Sequence, residues 1–171
     1  MFLFNDILTG DELFSDGFDV TLKDGIYEVD CKMITVGGDN DIDIGANASA
    51  EEPAEDALDS TSETVNNVVY SFRLVPSSFD KKSYMTYIKG YMKSLEKLMK
   101  EDEAKTDDDI TAFKANAAKF VKKVLGDIKN YEFYTGESMN PEGMVALLNY
   151  REDGVTPYFS FFADGVKPQK L

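Results

Sequence analysis

Apolar periodicity changes twice along this 171-residue chain, and that change most restricts its fold. Before residue 80 the apolar residues alternate. Tyr27, Val29, Cys31 and Met33 are interleaved with Glu28, Asp30 and Lys32, and Val68, Tyr70, Phe72 and Leu74 repeat the pattern before Pro76. A period of two predicts half-buried strands over 26–36 and 68–74, the first preceded by an Asp24-Gly25 turn. From Asp80 the spacing becomes three and four. Tyr84, Tyr87, Ile88, Tyr91, Leu95 and Leu98 form one stripe, and Ile110, Phe113, Ala117, Phe120, Val121 and Val124 form another. These predict two helices within 80–127. Asp80 serves as N-cap of the first, Asp107–Asp109 sit at the positive end of the second, and Gly126 closes it. The short Glu101–Thr106 link makes the pair an antiparallel hairpin. Strands return at 130–135, 144–150 and 158–163, with a turn at Arg151–Gly154. Strands, a helical hairpin and strands again predict a single α+β, mainly β domain over 1–171. Alternating β and α units are absent, which excludes a doubly wound sheet.

Charge is unevenly spread. The chain carries net −14, yet residues 80–130 hold 12 of its 18 basic residues against nine acidic ones. Between residues 37 and 67 there are nine carboxylates and no Lys or Arg. Large apolar residues are scarce there, so burial cannot offset the entropy of ordering, and a mobile acidic loop is expected. Net −14 argues against nucleic acid and anionic lipid as partners. No apolar run approaches the roughly 20 residues of a membrane helix, and Met-Phe-Leu-Phe-Asn-Asp has no basic leader. With one cysteine and no histidine, the expected compartment is the reducing cytoplasm. Cys31 reads as a packed strand residue, since no His is present to activate it. G-x-S-x-G, P-loop and G-x-G-x-x-G patterns are absent, so no enzymatic activity is expected. Asp39, Asp41 and Asp43 space oxygens as an EF-hand loop begins. The pattern then fails, because Ile44 stands at position six and Ala50 at position twelve. They remain the expected ligands of a weak calcium site, with Asp107–Asp109 as a rival cluster.

Two segments carry a family resemblance. Ile128–Tyr150 reads I-K-N-Y-E-F-Y-T-G-E-S-M-N-P-E-G-M-V-A-L-L-N-Y, and Ile44–Pro53 reads I-G-A-N-A-S-A-E-E-P. Both resemble the signatures of the translationally controlled tumour protein family (TCTP, also called histamine-releasing factor), in the family's order. The resemblance implies a non-enzymatic growth-associated protein with an Mss4-like β-rich body, a projecting basic hairpin and no required cofactor. It implies calcium binding and contact with tubulin and microtubules through Lys81, Lys82, Lys89, Lys93, Lys97, Lys100, Lys119, Lys122 and Lys123. On composition alone the same lysines read as a solvated face. It also implies contact of Glu12 with a Rheb-type small GTPase. Glu137 either joins that contact or braces the turn at Gly136. Ser60, in D-S-T-S-E, is the implied phosphorylation site. V-K-P-Q-K-L ends without the Cys through which relatives are thought to pair, so that dimer is not expected.

Overall fold

A computed structural model describes residues 1–37 and 62–171. Eleven strands lie among them: β1 (Phe2–Asp6), β2 (Glu12–Ser15), β3 (Asp19–Lys23), β4 (Ile26–Asp30), β5 (Met33–Gly37), β6 (Ser62–Asn66), β7 (Val75–Ser77), β8 (Glu132–Thr135), β9 (Ala146–Tyr150), β10 (Pro157–Phe162) and β11 (Val166–Lys170). The helices are α1 (Asn67–Phe72), α2 (Lys81–Glu101) and α3 (Asp107–Gly126). The strands form a six-stranded sheet ordered β3-β4-β10-β9-β8-β7, a three-stranded sheet β11-β1-β2 and a ribbon β5-β6. The fold is α+β and mainly β, as the pattern predicts.

Both long helices start with capping boxes. Asp80 accepts from the Ser83 amide while Ser83 accepts from the Asp80 amide, and Thr106 and Asp109 do the same. The apolar stripes are buried: Tyr84, Ile88, Tyr91, Leu95 and Met99 on α2, and Ile110, Phe113, Ala117, Phe120, Val121 and Val124 on α3. Phe162 of β10 receives the rings of Tyr91, Phe113 and Phe120 at centroid distances of 5.7, 6.4 and 5.4 Å. At the other end of α2, Phe133 meets Phe79 and Tyr84 at 5.1 and 5.5 Å. Each fully buried side chain of this size contributes about 1.5–3 kcal/mol. The hairpin is therefore docked on the six-stranded sheet through Phe133 and Phe162.

Two strand expectations are corrected. Residues 67–72 are helical, not extended. Asn66 Oδ1 accepts from the Val68 and Val69 amides at 2.9 and 3.2 Å, and Arg73 closes the helix with φ of 56°. A local cap thus outweighs the alternation, and Tyr70, expected to face inward, is exposed. The run 26–36 is two strands. The Cys31 amide donates to the Pro157 carbonyl at 2.8 Å, while Lys32 exchanges bonds with Asn67, its amide donating to Asn67 Oδ1 at 2.9 Å. β5 then leaves the six-stranded sheet and pairs with β6 in register Met33↔Asn66 to Gly37↔Ser62. The stretch read as a loop over 37–67 consequently begins and ends in paired strands.

Candidate functional site

The segment after β1 turns back sharply. The Asp6 amide donates to the Asp11 carbonyl and the Gly10 amide to the Asp6 carbonyl, both at 2.8 Å. This folds residues 6–11 against residues 136–145, the core of the second signature. Asp6 is buried, and each carboxylate oxygen accepts one backbone bond: Oδ1 from Leu8 at 2.8 Å, Oδ2 from Met144 at 2.7 Å. Tyr87 of α2 adds a third anchor. Its hydroxyl donates to the Gly143 carbonyl at 2.8 Å and accepts from the Val145 amide at 2.9 Å. Asp11 Oδ2 accepts from Ser138 Oγ at 2.6 Å and from the Ser138 amide at 3.3 Å.

The glycines of T-G-E and E-G-M follow from this packing. A Cβ on Gly143 would stand 2.7 Å from Thr9 Cγ2 and 2.9 Å from Asp6 Oδ2. One on Gly136 would stand 2.7 Å from Asp11 Cβ. Both contacts are shorter than van der Waals separation, so only glycine allows the two segments to close.

Glu12 and Glu137 flank this clamp. Glu12 opens β2 and is exposed; Asp11 beside it is tied to Ser138, the neighbour of Glu137. Glu137 also meets Arg73 Nη1 at 3.2 Å, and both side chains are largely exposed. Arg73, Asp6 and Asp11 were not singled out by sequence reasoning, and Tyr87 only as a member of the apolar stripe. The paired glycines of G-E-S-M-N-P-E-G were the available signal. Beside the clamp lies a groove of about 820 Å³ lined by Phe79, Tyr87, Met139, Pro141, Glu142 and Val145, among others; Glu12 and Glu137 do not line it.

The nine lysines expected to face a partner are all exposed. Lys100 pairs with Glu96 at 3.0 Å and Lys119 with Asp24 at 3.5 Å. Lys81, Lys82, Lys89, Lys93, Lys97, Lys122 and Lys123 have no ion pair within 4 Å among the described residues. On α2, Lys82, Lys89, Lys93, Lys97 and Lys100 follow at steps of seven, four, four and three, which places them on one face away from the buried stripe.

Cys31 is buried, and desolvation pushes its thiol up to about 11, so it is no nucleophile. Thr106 caps α3 with Asp109 as its box partner, and hydrogen bonds first from the Thr106 amide and then from its side chain hold the Asp109 carboxyl below the ordinary value. Among the described residues no group of three His, Cys, Asp or Glu is placed to hold a metal ion. Asp39, Asp41, Asp43 and Ser60, with the Ile44–Pro53 signature, lie outside the described residues. Among the described residues no helix is long and apolar enough to cross a membrane.

The family model described as translationally controlled tumour protein matches residues 1–167. A translationally-controlled tumor protein homolog of Candida albicans is 58% identical, and one of Schizosaccharomyces pombe 54%, each alignment covering 100% of both chains. The solved structure of the tumor-associated protein p23fyp from S. pombe superposes with a TM-score of 0.82 at 53% identity, covering 100% of both chains. That of TCTP from Caenorhabditis elegans gives 0.71 at 30% identity, covering 100% of this chain and 99% of that one. With the clamp built from the second signature's own glycines and a match running nearly end to end, the chain belongs to the translationally controlled tumour protein family.

Proposed function

We propose that this protein works by binding rather than by catalysis, as a cytoplasmic calcium-binding and tubulin- or microtubule-binding, stabilising protein with several partners. The observation carrying the reading is the set of seven exposed lysines without ion pairs among the described residues, on a docked hairpin, in a molecule of net −14. A rigid cationic face attracts an acidic surface such as the tubulin tails, while the acidic remainder repels other polyanions. Co-sedimentation with microtubules tests it. The parent pellets with microtubules and loses affinity steeply as salt rises, because exposed charges are screened beyond roughly 8–10 Å. Reversal of Lys89, Lys93 and Lys97 to Glu abolishes pelleting; unchanged pelleting refutes the assignment. For calcium, amide NMR during a titration at constant magnesium gives saturable shifts confined to the neighbourhood of Asp39, Asp41 and Asp43. Small unsaturating shifts spread over many carboxylates count against a site.

A second reading is supported by the Asp11–Ser138 bond, which draws the Glu12 and Glu137 segments together. There the protein regulates a Rheb-type small GTPase, two carboxylates acting on its switch loops or magnesium to change nucleotide residence time. Glu12→Val then weakens GTPase binding with little salt dependence. Binding as tight as that of the parent rules this contact out.

A further inference from the structure

The six- and three-stranded sheets have four edges, and three are blunted. Edge strand β7 contains Pro76. β11 carries Lys167, Pro168 and Lys170. α1 lies against β2. These are the usual guards against strand addition. β3, Asp19-Val20-Thr21-Leu22-Lys23, lacks them in its centre, and among the described residues no segment pairs with its outer side.

The register shows what that side offers. β3 and β4 are joined by the two-residue turn Asp24-Gly25, with φ of 52° and 76°, so Lys23↔Ile26 closes the ladder as a hydrogen-bonded pair. Alternation then turns the N–H and C=O groups of Lys23, Thr21 and Asp19 toward β4, and those of Val20 and Leu22 outward. Leu22 is 58% exposed, and Val20 is half-buried against the core.

The strand is also self-complementary. Laid antiparallel on a copy of itself about Thr21, Asp19 faces Lys23, Val20 faces Leu22 and Thr21 faces Thr21. The outward groups of Val20 and Leu22 fall opposite each other, as a hydrogen-bonded pair requires. Asp19 lies across from Asp30, a like-charge pair within one copy. Arg151 already engages Asp30 at 2.6 Å, and Lys23 of the second copy would supply the missing cation for Asp19.

We propose that β3 is the contact surface of a two-fold homodimer, formed by antiparallel addition of β3 to β3 in this register. The interface is isologous and continues the sheet across both molecules. Only five residues a side take part, so the dimer is weak and concentration-dependent.

Sedimentation velocity on the full chain from ~1 μM to ~1 mM at about 0.15 M salt tests it. The parent's average mass rises toward twice that of one chain. Leu22→Pro removes an outward N–H without touching the β4 ladder, so it raises the dissociation constant tenfold or more while the melting temperature holds. Asp19→Lys sets like charges opposite at both ends and weakens association severalfold. The exchange Asp19→Lys with Lys23→Asp restores it. A single-chain mass throughout, association indifferent to Leu22→Pro, or failure of the charge exchange to rescue would each overturn the proposal. The first of these leaves the edge to a strand of a different protein.

Discussion

Residues 6–11 and 136–145 are held by buried polar side chains bonded to backbone atoms, whereas the lysines of α2 and α3 stand in solvent with few fixed partners. Asp6 and Tyr87 each satisfy two backbone groups. Truncating either strands a buried donor or acceptor. Lys89, Lys93 and Lys97 are exposed and form no ion pair among the described residues. One region therefore sets stability and shape, and the other is free to be shaped by a partner.

The widest expected gap between the regions is at Asp6. Asp6→Ala removes two charge-assisted bonds from a site that is 3% exposed and should cost about 2–4 kcal/mol, read as a lowered urea midpoint. A cost near zero would mean that water replaces the carboxylate and that the clamp is not rigid. Tyr87→Phe keeps the ring and loses both hydroxyl bonds, for about 1–2 kcal/mol by the same measurement.

Alkaline pH sharpens the contrast further, because buried protonated groups lie in the core while the lysine face holds none. Burial raises Cys31 from 9.0 to about 11 and raises the phenols of Tyr84, Tyr87 and Tyr91. The folded state keeps these protons where the unfolded chain releases them. Stability is therefore fully present below about pH 9 and falls as pH climbs toward about 11. Urea midpoints across that window should decline, and Cys31→Val should flatten part of the slope. The smallest effect belongs to the lysines. Reversing Lys89, Lys93 and Lys97 to Glu should move stability by no more than about 0.5 kcal/mol. A cooperative melt displaced by several degrees would show that the face is structural after all.

Both long helices, the Asp80 cap and the strands of residues 132–162 were legible in the sequence because periodicity and caps act within a few residues. The helix at 67–72 was not. Val68, Tyr70, Phe72 and Leu74 alternate, but one Asn66 side chain bonded to two amides decides the backbone there. The clamp was hidden for a different reason. Asp6 is one of 32 acids, and its meaning comes from Met144, 138 residues away. Glu12 and Glu137 were named through the family resemblance, while the Asp11 bond that unites their segments needed the three-dimensional register.

The pairing of β1 with β11 has a consequence for synthesis. Phe2↔Lys170 through Asp6↔Val166 joins the first strand to the last, and Asp6 must also await Met144. Closing so long a loop is slow. A ribosome delivers β2 soon after Phe2, Leu3 and Phe4, but β11 only much later, so the growing chain carries β1 with one edge open until β11 has been made. The three-stranded sheet is complete only after β11 has been made, which makes the open edge of β1 a segment that a ribosome-associated chaperone would have reason to hold.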